Sequence, residues 1–109
     1  MKGIGIDLTP VARMEAALGQ AQFMDNTFSA HEQEYCNSYK DAAVHFAGTF
    51  AAKEAVRKAT GLFPKLNEIE IRRTAEGKPE VWIEGVRDES LLISITHTAT
   101  DACAVALAQ

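Results

Sequence analysis

Phe46-Ala-Gly-Thr-Phe-Ala-Ala-Lys-Glu-Ala-Val-Arg-Lys58 is the stretch on which the reading of this 109-residue chain turns. At helical spacing Val44, Ala47, Phe50, Ala51, Ala55 and Ala59 form one apolar stripe, so the segment reads as a long helix packed into a core. Glu54 lies one turn after Phe50 and Ala51 and one turn before Lys58, where it borders or interrupts that stripe. A carboxylate in such a place needs a cation or a metal, because an unpaired buried charge is expensive. Lys53 and Lys58 stand beside it on the same segment.

Outward from this helix, Asp41 can cap its start and Gly61 its end, with Leu62-Phe63-Pro64 as a turn. Upstream, Ser29-Ala-His-Glu32 is a capping-box pattern that opens a short helix through about Tyr39. Its apolar residues are few (Tyr35, Cys36, Tyr39), which makes it peripheral. Gln20 to Phe28 shows no clear period and reads as irregular. At the N-terminus Ile4, Ile6 and Leu8 alternate with Gly3, Gly5 and Asp7, the pattern of a strand with one greasy face and one stripped to backbone. The glycines admit another backbone or a ligand, and Asp7 stands at the strand's exit beside that opening. Thr9-Pro10 then predicts an N-cap and first helical residue, with the helix running to about Leu18 and stopping at Gly19.

Downstream the period changes to two. Ile69 and Ile71 alternate with Glu68, Glu70 and Arg72, Glu76-Gly-Lys-Pro79 signals a turn, and Val81-Trp-Ile-Glu84 returns as the second arm of a hairpin. Gly85 to Ser90 is a polar loop, Leu91 to Thr98 a strand, Thr100-Asp101 a turn, and Ala102 to Ala108 the last strand. Alanines on one whole face of that strand permit close packing against a helix or a neighbouring chain. The class is α+β: an N-terminal strand, helices, then two hairpins, in one domain spanning residues 1–109.

Composition excludes several functions. With 47% hydrophobic and 24% charged residues the chain reads as soluble and globular. A net charge of −4 without a basic run argues against nucleic acid. No apolar segment is long enough to cross a bilayer and no basic-then-apolar leader is seen, so the expected location is the cytoplasm. Cys36 and Cys103 match no metal spacing and read as a helix residue and a core residue.

Two carboxylates and a histidine remain as chemistry-bearing candidates. Asp7 and Glu54 on rigid elements suit a magnesium ion, which takes the rest of its shell from waters and phosphates. Taken alone, Asp7 reads rather as a helix-cap partner and Glu54 as the local partner of Lys58, since such pairs are common. His97 shares the parity of Ile93 and Ile95, which suits a core histidine, yet its place at a strand end leaves a phosphate-binding or proton-transfer role open. His31 and His45 have no convergent partners in the sequence.

Taken together, Gly3-Ile-Gly-Ile-Asp7, Phe50-Ala-Ala-Lys-Glu-Ala55 with Lys58, and Ile93-Ser-Ile-Thr-His-Thr98 resemble the holo-acyl-carrier-protein synthase family, the small class of 4′-phosphopantetheinyl transferases. The Ile69-Glu-Ile-Arg72 arm and the Glu76-Gly-Lys-Pro79 turn are similar too, so the resemblance covers nearly the whole chain. It implies the phosphopantetheinyl transferase fold and magnesium-dependent transfer of phosphopantetheine from coenzyme A to a serine of an apo acyl carrier protein. The serine hydroxyl attacks the β-phosphate and 3′,5′-ADP leaves, a step of lipid and fatty acid biosynthesis. By similarity Asp7 and Glu54 hold the metal, and Glu54, Lys58 and His97 are catalytic. Glu54, directly or through a water on the metal, is the base for the serine proton. Lys53, Lys58, Gly77, Lys78, Pro79, His97 and Thr98 contact coenzyme A, and Arg13 meets the carrier. The family also implies a homotrimer with sites at subunit boundaries, the Gly77-Lys78-Pro79 turn reaching in from a neighbour. Three departures stand out: Thr49 replaces a frequent arginine, Leu62-Phe63-Pro64 a longer loop, and Gln20 and Gln22 expected cations. They motivate a second reading, a degenerate relative that binds coenzyme A or a protein without turnover.

Overall fold

The computed structural model describes residues 2–62 and 65–109. Strand β1 (Gly3–Pro10) leads through helices α1 (Val11–Ala17), α2 (Ala21–Thr27) and α3 (Ala30–Asn37) to the long α4 (Ala42–Thr60). A one-turn 3-10 helix (Leu66–Glu68) precedes β2 (Ile69–Arg73), β3 (Pro79–Ile83) and β4 (Val86–Arg87), which form one antiparallel sheet in that order. The hairpin β5 (Leu91–His97) and β6 (Asp101–Ala108) makes the second sheet with β1, in the order β1-β6-β5. The α+β class and both expected hairpins are therefore present.

Small residues let α4 lie almost directly on the second sheet. A Cβ added to Gly3 would stand 1.9 Å from the Ala59 carbonyl oxygen, and one on Gly5 would stand 2.0 Å from that of Ala55. No side chain fits at either position. Of the two occupants the glycine face could admit, the helix backbone is the one found. Ala104, Ala106 and Ala108 of β6 bury their methyl groups in the same layer. The greasy side of β1 consequently points outward: Ile4, Ile6 and Leu8 are 63%, 62% and 65% exposed. Cross-strand pairing sets Ile4 beside Leu107, which in turn stands beside Leu92, and Ile6 beside Val105, on this outer face.

The N-terminal half of α4 closes a second core with α1, α2 and α3. Phe28 and Phe46 meet edge to face at 4.9 Å, with Met14 and Met24 buried around them. Truncating either ring to alanine costs about 3–5 kcal/mol by the usual scale of buried aromatic loss. The expected stripe on α4 is buried throughout, but so are Phe46, Thr49, Ala52, Lys53 and Val56 on its other sides. Gly61 ends the helix in the left-handed region (φ 67°), its N–H bonded to the Arg57 carbonyl at 3.1 Å.

Several local expectations change. Thr9 is not a helix cap; β1 runs on through Pro10, and Val11 N–H donates to the Thr100 carbonyl (2.9 Å), which tethers the start of α1 to the β5–β6 turn. The segment read as irregular forms α2, two turns being too few residues to display a period. The Ser29–Glu32 capping box is present, but α3 ends at Asn37, and it is not peripheral: Glu32 and Cys36 are buried. Asp41 stands at the N-cap of α4 without a side-chain cap bond; its carboxylate faces His45 Nε2 at 3.6 Å instead. The loop Gly85–Ser90 contains β4, and β6 begins at Asp101. Of the Leu62-Phe63-Pro64 turn, Phe63 and Pro64 lie outside the described residues. No helix among the described residues is long and apolar enough to cross a membrane.

Candidate active site

The close contact of β1 with α4 is what assembles the site. Asp7 follows Gly3 and Gly5 on the helix-facing side of β1, so the approach that buries the glycines carries Asp7 to the C-terminal half of α4. There Lys58 Nζ donates to the Ile6 carbonyl (2.9 Å) and lies 3.4 Å from Asp7 Oδ1. The Thr9 hydroxyl donates to the other carboxylate oxygen, Asp7 Oδ2, at 2.8 Å. One turn before Lys58, Glu54 Oε1 accepts from Arg57 Nη1 at 3.0 Å. Glu54, Arg57, Lys58 and Gly61 line a cavity of about 410 Å³. Two half-buried carboxylates thus each face a cation of α4, Asp7 facing Lys58 and Glu54 facing Arg57.

The donor set fits a hard divalent ion held by two carboxylates that leave coordination positions to water and phosphate. Among the described residues no cluster of three or more His, Cys, Asp or Glu side chains gathers to cage a metal.

His97 ends β5 on the same face as Asp7, one row further along the sheet, opposite Ala102. The parity argument for a core histidine is right about the face and wrong about burial: His97 lies past the packed layer and is exposed. Its ring meets His45 edge-on at 5.7 Å, and His45 stacks on Tyr39 at 3.7 Å with Tyr35 at 6.2 Å. His45 therefore does have convergent partners. Burial pushes its pKa below the ordinary value; Asp41 opposes the shift, and His97 and Arg73 reinforce it. Thr98 braces the turn beside His97, its hydroxyl accepting from the N–H groups of Thr100 (3.2 Å) and Asp101 (3.1 Å).

The β2–β3 turn is closed by paired bonds between Thr74 and Lys78: Thr74 N–H donates to the Lys78 carbonyl (2.9 Å), and Lys78 N–H to the Thr74 hydroxyl (3.1 Å). Gly77 lines a second cavity, about 470 Å³, with Tyr35, Tyr39 and Arg73; Lys78 is exposed at the tip and Pro79 opens β3. This cavity shares no lining residue with the Glu54 cavity. Arg13, on the exposed side of α1, holds its guanidinium 4.8 Å from the centre of the Phe50 ring.

Lys53 is placed elsewhere. It is fully buried, ion-paired with Glu32, and donates to the carbonyls of Thr27 (2.7 Å) and Leu66 (3.1 Å). Three acceptors use its three N–H bonds, which leaves none for a coenzyme phosphate. Burial raises the pKa of Glu32 and lowers that of Lys53, each shift opposed by the partner's charge. Thr49, at the position of the missing arginine, is also buried, its hydroxyl donating to the His45 carbonyl at 2.9 Å.

Residues 3–107 match the model of the 4′-phosphopantetheinyl transferase superfamily. This chain belongs to that superfamily. It is 39% identical to the holo-[acyl-carrier-protein] synthase of Chlorobaculum parvum over 97% of both chains, and 40% identical to that of Protochlamydia amoebophila over 96% of this chain and 95% of the other. The fold superposes on the holo-(acyl-carrier-protein) synthase of Bacillus anthracis in complex with CoA (3′,5′-ADP), with TM-score 0.81 and 30% identity over 96% of this chain and 93% of that one. It also matches the Helicobacter pylori synthase in complex with coenzyme A, with TM-score 0.83 and 26% identity over 97% and 99% of the two chains.

Within this phosphopantetheinyl transferase, three residues escaped the sequence reading. Arg57 was legible at i,i+3 from Glu54 but stood between two more familiar lysines. Glu32 was hidden by its own capping box, which accounts for one carboxylate oxygen and conceals the partners of the whole group. His45 carried no signal, because the β5 end that faces it lies far along the chain.

Proposed function

We propose that this chain transfers the 4′-phosphopantetheine arm of coenzyme A to a serine hydroxyl of an apo acyl carrier protein. The serine oxygen forms a bond to the β-phosphorus, the bond between that phosphorus and the bridging oxygen breaks, and 3′,5′-ADP departs. One observation carries the reading: Asp7, distant in sequence, pairs with Lys58 one turn after Glu54 on α4, and Glu54 and Lys58 line one open cavity. Asp7 and Glu54 would hold a magnesium ion, which would supply positive charge against the phosphates of the coenzyme. Lys58 places a further positive charge there, and Glu54 is the base for the serine proton. His97 and the Gly77-Lys78-Pro79 turn with Thr98 hold the coenzyme, and Arg13 meets the acidic carrier.

The working form is a homotrimer of single-domain chains. Two features support it: the outward apolar face of Ile4, Ile6, Leu8 and Leu92, which is costly to leave in water, and the separation of the Gly77 cavity from the Glu54 cavity on one chain. A neighbour's turn then completes each site. Sedimentation of the purified protein at three times the chain mass is the expected result. Two free cysteines, Cys36 and Cys103, agree with a cytoplasmic setting.

The test is a mass assay. Protein, coenzyme A, magnesium and apo carrier give a carrier heavier by one phosphopantetheine arm, while Glu54→Gln and Asp7→Asn lower the rate by on the order of 10²-fold or more with an unchanged melting temperature. Full activity in both variants removes the metal assignment. Coenzyme A binding without transfer to any carrier favours the non-catalytic relative.

A further inference from the structure

Arg57 has no part in the reading above, yet it makes the closest contact to Glu54. Its Nη1 lies 3.0 Å from Glu54 Oε1, and it lines the same cavity as Glu54 and Lys58. The guanidinium is only partly used. Its Nε is buried and has no hydrogen-bond partner among the described residues, an arrangement that carries a desolvation cost until an acceptor arrives. Lys58 on the next turn is committed to the Ile6 carbonyl and Asp7, so it does not compete for Glu54.

A carboxylate oxygen that faces a guanidinium cannot at the same time face a divalent ion at full strength. A guanidinium released from that carboxylate, in a cavity beside a pyrophosphate, has a planar fork suited to phosphate oxygens. We infer that Arg57 is a hand-over residue: it neutralises Glu54 in the ligand-free protein and passes to the coenzyme's phosphates when a divalent cation takes Glu54. This rests on the metal-and-coenzyme reading and adds to it a coupling between the two ligands. Because the cation frees Arg57, and Arg57 on phosphate leaves Glu54 to the cation, each ligand strengthens the other through this side chain.

The test is a binding cycle, independent of turnover. Manganese, as a magnesium substitute, is titrated into the purified protein with and without coenzyme A, and coenzyme A with and without manganese, for wild type, Arg57→Gln and Arg57→Lys. For Arg57→Gln, manganese binding without coenzyme tightens by roughly two- to fivefold, the weight of one partly exposed ion pair. Coenzyme A binding with manganese present weakens, and the coupling factor between the ligands falls by roughly fivefold or more. Arg57→Lys, which keeps the charge but loses the fork, recovers part of that factor. Melting curves of the variants match wild type, since Arg57 is half-buried on a helix surface. Unchanged coupling in Arg57→Gln, with wild type binding both ligands cooperatively, overturns the hand-over and leaves the transferase reading intact. Wild type that binds neither manganese nor coenzyme A overturns both.

Discussion

Lys53 and Lys58 stand five residues apart on one helix and lead opposite lives. Lys53 has no exposure at all, and Glu32, Thr27 and Leu66 occupy its donors. Lys58 is 54% exposed and reaches out to Asp7 and the Ile6 carbonyl at the rim of a cavity. The sealed pair has no capacity left for a ligand, so its work is to locate: Glu32 and Lys53 tie α3, α4, the 3-10 turn and, through the Ile71 N–H (2.7 Å), β2 into one unit. The half-exposed pairs Asp7–Lys58 and Glu54–Arg57 are partly screened by water, so they contribute less to stability than the sealed pair and exchange partners more readily. Burial, not residue type, separates scaffold from site.

The largest effect expected from this contrast is on Glu32. Glu32→Ala leaves an uncompensated ammonium in the core and costs about 3–5 kcal/mol, read as a melting temperature lower by roughly 10 °C or more. A change below about 1 kcal/mol would break the distinction between the two pairs. The double variant Glu32→Met with Lys53→Met sharpens it. Buried ion pairs replaced by apolar groups are often neutral or better. Here, however, the Ile71 N–H and the Thr27 and Leu66 carbonyls would lose their partners, so recovery stops about 2 kcal/mol short of wild type. Complete recovery would mean that the pair serves no backbone group.

Lys58→Ala is the converse experiment. Stability moves by no more than about 0.5 kcal/mol, because the lost contacts are solvent-exposed and alanine keeps the Cβ that packs beside Gly5. Transfer to the carrier slows by on the order of 10²-fold, the usual weight of one positioned charge at a reacting phosphate. A melting temperature that falls in step with activity would reassign Lys58 to the scaffold.

The period-two pattern after Glu68, the glycine and alanine faces and the apolar stripe of α4 were enough to read both hairpins, the N-terminal strand and the central helix from sequence, but not the pairing of β1 with β6 or the short β4. Each follows from what a strand or helix does with its own neighbours. The site was legible in Asp7, Glu54 and Lys58 as residue types, and their convergence came only from the resemblance. What could not be read is what burial decides. Lys53 and Lys58 look alike in a Lys-Glu-Ala-Val-Arg-Lys run, and only the arrival of Glu32 from another helix makes one of them structural. Likewise α2 is held by Met24 and Phe28 in the second core rather than by any periodicity of its own. The exposure of Ile4, Ile6 and Leu8 inverts the usual inference that an apolar face points to the core of its own chain.

His45 is another basic group on α4, between the sealed and the open extremes, and gives the smallest effect. Its ring is stacked on Tyr39 and largely covered, and burial holds its pKa below the ordinary 6.5. Asp41 pulls the other way, while His97 on β5 and Arg73 on β2 add to the lowering. Below 6.5 the unfolded chain therefore binds a proton that the folded chain resists. The stability tied to the neutral ring is complete above that value and is lost as pH falls toward the lower folded pKa. His45→Phe keeps an aromatic ring against Tyr39 and removes the proton. Melting curves taken from about pH 7.5 to about pH 5 should then show wild type losing ground to the variant as the pH drops. Two parallel profiles would mean that His45 accepts its proton in place, with the cluster opening to water as freely as Lys58 does. The ring would then belong with the exchangeable groups of the site.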